Sequence, residues 1–188
     1  VRIMTLAWNN DNDVTYGTFS KEGKGLTEFG EQVVREMNRI GMIVDVSHIT
    51  EAGFWDVLNL TTKPVIASHS NAYSVCAHPR NLTDDQIIAL IRNNGMIGIN
   101  IYPMFLNLSQ NAAISDIIHH IEHFLSLGAE NHIGLGTDFD GVPVLPQEIQ
   151  NAGTLYKLFD EMIRLGYNNE IIERVTHQNF IDFFQKNL

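Results

Sequence analysis

The sequence predicts a parallel α/β domain of the TIM-type (β/α)8 barrel class, with about the last five β/α units carried in these 188 residues as a single, partial domain. Three observations predict it. Short, almost continuously apolar runs alternate with amphipathic helical segments, as strands buried on both faces of a parallel sheet require. Residues capable of chemistry stand at the ends of several different runs, where barrel enzymes gather their sites. No glycine-rich dinucleotide fingerprint follows any run, which disfavours the doubly wound alternative.

The apolar runs are Ile3–Trp8, Met42–His48, Val65–His69, Met96–Tyr102 and Ile133–Asp138. The first helix is expected from about Thr27 to Ile40, with Phe29, Val33, Met37 and Ile40 near one face and Gly41 as its stop. A second starts at the N-cap candidate Thr50 and carries Phe54, Val57 and Leu58. A third opens on the capping box Thr83-Asp84-Asp85-Gln86 and ends at Gly95. A fourth carries Ile114, Ile117, Ile118, Ile121 and Leu125 and stops at Gly128. Further helices are expected near Ala152–Leu165, Asn169–Val175 and His177–Gln185. A full barrel needs eight strands, and the chain opens Val1-Arg2-Ile3-Met4 already in a strand-like run. The expectation is therefore a sequence that begins inside a longer protein.

Charge and composition narrow the function classes. The formal net charge is −10 with only twelve Lys and Arg, so clustered phosphate contacts and a nucleic-acid partner are disfavoured. No window is long and apolar enough to predict a membrane segment. Cys76 is the only cysteine, which rules out an intrachain disulfide, and it reads as a small buried residue rather than a nucleophile. A cytoplasmic, bacterial setting is the expectation from these features. A homodimer stays open as an assembly state.

His48 and His69 each end an apolar run. They suit a Zn²⁺ site if the two strands are neighbours, or a pair of hydrogen-bonded strand-capping histidines. In Thr137-Asp138-Phe139-Asp140-Gly141, alternate residues of an extended chain face one way, so one carboxylate could move a proton with the other in support; an Asx-type turn is the competing reading. Arg80, in His78-Pro79-Arg80-Asn81, could hold a substrate carboxylate or lie on the surface. His119, His120 and His123 read as a solvated helix face. Trp8 and the Asn9-Asn10-Asp11-Asn12-Asp13 stretch could line a pocket or form a turn-rich loop.

Longer segments carry a resemblance. Gly25-Leu26-Thr27-Glu28-Phe29-Gly30, then Arg35-Glu36-Met37-Asn38-Arg39-Ile40-Gly41, lead into Val44-Asp45-Val46-Ser47-His48. Pro64-Val65-Ile66-Ala67-Ser68-His69-Ser70-Asn71-Ala72, Pro79-Arg80-Asn81-Leu82, Gly98-Ile99-Asn100-Ile101-Tyr102 and Gly134-Leu135-Gly136-Thr137-Asp138-Phe139-Asp140-Gly141 follow in order. Over nearly its whole length the chain resembles the catalytic domain of the renal (membrane) dipeptidase family, zinc metallopeptidases of family M19, in its C-terminal part. The resemblance implies a barrel hydrolase with two Zn²⁺ ions that cleaves small dipeptides by metal-activated water. It implies His48 and His69 as ligands of one zinc, Asp138 as the acid/base beside the substrate, and Arg80 as the holder of the substrate's terminal carboxylate. Two departures stand out. The family's His-x-Asp pair and metal-bridging glutamate precede the matched region, and no His-x-Asp occurs here, so this chain supplies at most a partial site. Trp8 stands where renal-type members carry a substrate-contacting histidine, which makes Trp8 the substrate-binding candidate there. A truncated, non-catalytic homologue with half a metal site, or another metal-dependent amidohydrolase, are the alternatives.

Overall fold

A computed structural model describes residues 1–188. Five strands, β1 (Ile3–Thr5), β2 (Ile43–Asp45), β3 (Ile66–Ala67), β4 (Met96–Ile99) and β5 (Ile133–Leu135), form one sheet in the order β1-β2-β3-β4-β5. Every neighbouring pair is parallel. A doubly wound sheet reverses its strand order at a switch point. This order never reverses, so the chain winds in one sense, and all strand carboxyl ends open onto one edge.

The strands are shorter than the apolar runs that predict them. The last residues of each run leave the ladder and turn onto the carboxyl edge. His48 does so with φ 72° and Asp138 with φ 59°, both left-handed, which ends extended pairing at once.

The helices are α1 (Glu28–Ile40), α2 (Glu51–Leu60), α3 (Asp84–Arg92), α4 (Pro103–Asn107), α5 (Ile114–Ser126), α6 (Tyr156–Arg164), α7 (Asn169–Glu173) and α8 (Asn179–Asn187). Their starts follow the sequence closely. Thr27 and Thr50 each accept a first-turn backbone N–H, and Thr83 forms the full capping box with Gln86. Gly41 closes α1 in the left-handed conformation at φ 73°. A π-helical turn, Arg174–Gln178, joins α7 to α8. None of the helices is long and apolar enough to cross a membrane.

Phe29, Val33, Met37 and Ile40 of α1 share one face, as expected, yet that face is only partly buried. The buried stripe of α1 is Gly30, Val34 and Met37, whereas Phe29 and Ile40 are exposed. Gly30 sets this register, because a Cβ there would stand 2.0 Å from the Val14 carbonyl oxygen. Of the α5 histidines, His119 is exposed as expected, but His120 is not. His120 is fully buried: the Ala72 N–H donates to its Nδ1 at 3.1 Å, and its Nε2–H donates to the Leu106 carbonyl at 3.1 Å. His123 instead pairs with Asp84 at 2.8 Å, tying α5 to the start of α3.

His120 yields a stability prediction. Burial, which the backbone bond to Leu106 only partly offsets, lowers its pKa from 6.5 to about 4. Between these values the unfolded chain binds a proton that the folded chain does not. The contribution of neutral His120 is therefore complete above pH 6.5 and is lost as the pH falls to about 4. At about 1.4 kcal/mol per pH unit, the full loss is on the order of 3 kcal/mol. Chemical denaturation of wild type and His120→Gln across this range checks it. The variant should show the shallower acid slope, and equal slopes would refute the assignment.

The core lies on both faces of the sheet. Phe54, Val57, Ile87, Leu90, Ile117, Ile121 and Phe124 pack the helices onto it. At the amino ends of the strands, Ile43, Ile66 and Met96 pack against Phe183 of α8. This contact packs the C-terminal helix against the amino ends of the strands, opposite the carboxyl edge. Strands β3 to β5 approach closely just below that edge, where a Cβ on Gly98 or Gly136 would lie 1.9 or 2.0 Å from the Ser68 carbonyl oxygen.

Candidate active site

Four consecutive strands contribute to the carboxyl edge. His48 follows β2, His69 follows β3, Asn100 follows β4 and Asp138 follows β5. The two imidazoles meet: His48 Nε2 and His69 Nε2 are 2.6 Å apart, with ring centroids at 4.7 Å. Their outer nitrogens are engaged. His48 Nδ1 lies 2.8 Å from Asn9 Oδ1, and His69 Nδ1 lies 2.7 Å from Ser68 Oγ. Burial first, and the positive charge of Arg80 second, push His48 down to about 3 and His69 in the same direction. Both rings are thus neutral near pH 7.

This donor set fits a metal. Asn9 Oδ1 can only accept, so His48 carries its proton on Nδ1 and offers a lone pair at Nε2. The 2.6 Å contact fits an Nε2–H···Nε2 hydrogen bond or, with His69 also protonated on Nδ1, two Nε2 lone pairs turned toward one cation. Neutral imidazoles held on strand ends by outer hydrogen bonds are typical zinc ligands. Nowhere in the chain do three or more His, Cys, Asp or Glu side chains form a group able to hold an ion. The chain therefore offers two donors to one centre.

Asp138 stands beside this pair. Asn100 Nδ2 donates to its Oδ2 at 3.1 Å, and Asn100 is itself held by reciprocal bonds with Asn71 at 2.9 and 3.0 Å. Left-handed backbone at His48 and Asp138 costs on the order of 1–3 kcal/mol each and is concentrated at functional sites. The Asp138 turn, closed by Gly141 N–H to its carbonyl at 3.0 Å, sends Asp140 outward, where it is exposed. The expectation that the two carboxylates face the same way is corrected: the backbone is not extended there, and Asp140 lies outside the site. Gly141 keeps room for Asp138, since a Cβ would come within 2.0 Å of Oδ1.

Arg80 is only 4% exposed, so the surface reading of this residue fails. One of its N–H groups reaches the His69 carbonyl at 3.4 Å, and its guanidinium lies 5.4 Å from the Phe105 ring centroid. Its Nε has no hydrogen-bond partner, and none of the chain's ion pairs includes it. Burial lowers its pKa to about 10, against the pull of Asp45 and Asp138, so it remains a cation. A buried cation without a carboxylate partner is costly unless an anion joins it.

His48, Arg80 and Asp138 border a cleft of about 390 Å³ that Trp8, Phe19 and Phe105 also line, whereas His69 is not part of its lining. Trp8 is 68% exposed on its rim, 6.3 Å from the His48 ring. A second concavity of about 540 Å³ touches Arg80 from the side of Thr50 and Gln86 but has neither histidine nor Asp138, so the chemistry lies in the first cleft. Asn9 lies in the stretch expected to line a pocket, whereas nothing in the motifs singled out Asp45, Ser68 and Asn100 as site residues. Each is a polar residue within or just after an apolar strand run, and that signal alone could have found them.

Imidazoles, a carboxylate and a buried guanidinium at the carboxyl edge of a singly wound parallel sheet define the class: a parallel α/β protein with its polar, titratable site at the strand ends. Comparison with known proteins makes this specific. The chain belongs to the membrane dipeptidase family, peptidase family M19, whose profile matches residues 1–187. It is 36% identical over 193 residues to an uncharacterized dipeptidase of Schizosaccharomyces pombe, covering 99% of this chain and 46% of that protein. Its fold matches a metallopeptidase from Rhodobacter sphaeroides, solved with a phosphinate mimic of the dipeptide L-Ala-D-Ala, with a TM-score of 0.94 and 31% identity, over 100% of this chain and 56% of that one. It likewise matches the family M19 dipeptidase AC, with a TM-score of 0.92 and 32% identity, over 99% of this chain and 56% of that one. The chain thus spans about half the length of these relatives.

Proposed function

We propose that this chain carries the carboxyl-terminal half of the active site of a zinc-dependent dipeptidase, on the last five β/α units of an eight-unit barrel. The observation that carries the reading is the meeting of two imidazoles at their Nε2 atoms beside a buried guanidinium that has no ion-pair partner. The first suits a metal, and the second suits the terminal carboxylate of a short peptide. The phosphinate dipeptide mimic bound by the Rhodobacter sphaeroides relative supports the same substrate class.

His48 and His69 would hold one zinc ion. When bound, zinc lowers the pKa of its water and polarises the peptide carbonyl. Arg80 fixes the substrate by its carboxylate and so sets which peptide bond reaches the histidines. Asp138 moves the protons. Its Oδ2 is occupied by Asn100, which leaves Oδ1 to take a proton from the attacking water and return it to the leaving amine. Trp8 and Phe19 shield the outer side of the cleft with apolar surface.

The full-length protein should hydrolyse small dipeptides, lose activity to a chelator and regain it with zinc. Failure to cleave any dipeptide in the presence of zinc would sink the proposal. One observation favours a second reading, a non-catalytic homologue with half a metal site: only two donors converge here. Metal analysis separates the two. Two zinc ions per full-length protein support the enzyme, and one weakly held ion supports the module. For chain 1–188 alone, two tightly bound ions would overturn the assignment of a partial site.

A further inference from the structure

Asp45 is 2% exposed and sits inside an apolar strand, so its carboxylate must be fully engaged. Four donors converge on it. Thr5 Oγ1 and Ser68 Oγ reach Oδ2 at 2.7 and 2.6 Å, and the Ser47 and Ser68 backbone N–H groups reach Oδ1 at 3.0 Å each. The 2.6 Å bond has the short length of a charge-assisted O–H···O⁻ contact. The single hydroxyl hydrogen of Ser68 is therefore committed to Asp45.

That commitment dictates the next bond. Ser68 Oγ also lies 2.7 Å from His69 Nδ1. With its hydrogen given away, the oxygen can only accept there, so His69 must carry its proton on Nδ1. Its Nε2 is left as a bare lone pair aimed at His48. Without Asp45, Ser68 could donate to Nδ1 instead. The proton of His69 would then sit on Nε2, the one atom that has to be free.

We infer that Asp45 is a positioning residue which, through the Ser68 hydroxyl, locks His69 in the tautomer able to accept a cation, as Asn9 does directly for His48. Asp45 touches neither the cleft nor the substrate; it acts on the ring through one intervening oxygen. The inference rests on reading His48 and His69 as metal ligands. Its logic is directional, and an isosteric change exploits this. In Asp45→Asn an amide N–H can face Ser68, turn the hydroxyl toward Nδ1 and reverse the whole chain of donors.

The test has two readouts besides activity, both on the full-length protein. Long-range ¹H–¹⁵N NMR of the metal-free protein reads the His69 tautomer. Competition with a chelator reads the affinity for zinc alone. Wild type and Ser68→Thr, which keeps the hydroxyl, should show the Nδ1–H tautomer and equal zinc affinity. Asp45→Asn and Ser68→Ala should shift His69 toward Nε2–H and lose about 10- to 100-fold in zinc affinity, the usual effect of removing an outer hydrogen-bond partner. Ser68→Ala removes a single oxygen, so it reports even if Asp45→Asn folds poorly. An Nδ1–H tautomer retained in Ser68→Ala overturns the relay, as does a zinc affinity lowered equally in Ser68→Thr and Ser68→Ala. A wild type that shows the tautomer and its reversal in Asp45→Asn, yet binds no zinc, upholds the relay and overturns the metal assignment.

Discussion

Asp138→Asn should abolish turnover while leaving the zinc content and the unfolding free energy close to wild type. The separation of effects follows from three local facts. Asp138 occupies left-handed backbone at φ 59°, a conformation that asparagine adopts readily, so the fold should not suffer. The amide keeps an oxygen to accept the Asn100 N–H, so the side chain stays in place. What it loses is the capacity to take and return a proton. General acid–base catalysis contributes about 10² to 10⁴-fold, and kcat should fall by that order with KM little changed. Stopped assays on a dipeptide together with metal analysis provide the check. Full activity in Asp138→Asn would remove Asp138 from the proposed mechanism.

Arg80→Met should do the opposite to stability and to binding. At present a buried guanidinium stands with an unsatisfied Nε and no ion-pair partner. Its lowered pKa, about 10 against the ordinary 12.5, reflects that desolvation. On about 1.4 kcal/mol per unit, the burden on the free protein is on the order of 3 kcal/mol. Methionine fills similar space and keeps the apolar contact with Phe105. The variant should therefore be as stable as wild type or more so in chemical denaturation. Its binding should fail, because truncating one partner of a buried charge pair costs about 2–5 kcal/mol, or roughly 30- to 4,000-fold in kcat/KM. The loss should appear for dipeptides with a free terminal carboxylate and vanish for their amides. Wild-type kcat/KM in Arg80→Met, or a large loss of stability, would show that Arg80 is structural.

Strand and helix order followed from apolar runs, threonine caps and glycine stops, all of which act over a few residues. Thr27, Thr50, Thr83 and Gly41 perform the expected capping, because a cap is a contact between near neighbours. On α1, Phe29, Val33, Met37 and Ile40 do share one face, but Phe29 and Ile40 stand exposed on it while Val34 is buried. Only the close approach of Gly30 to the Val14 carbonyl decides which stripe turns inward. The burial of His120 has no local signal, because its partners, Ala72 and Leu106, are distant along the chain.

The same division runs through the site. By itself the sequence determined that His48, His69 and Asp138 end separate apolar runs of a parallel α/β chain, and its motifs pointed to the dipeptidase family. That much is set by periodicity and by strand-end position, which one-dimensional spacing can express. Only three-dimensional packing shows that the two histidines face each other at 2.6 Å, that Arg80 is buried without an ion-pair partner, that Asp140 turns away, and that Asp45, Ser68 and His69 stand in one hydrogen-bonded line. Each of these depends on side chains brought together from different strands by parallel pairing. Hydrogen-bond direction and desolvation are properties of such meetings, and they have no counterpart in the order of residues along the chain.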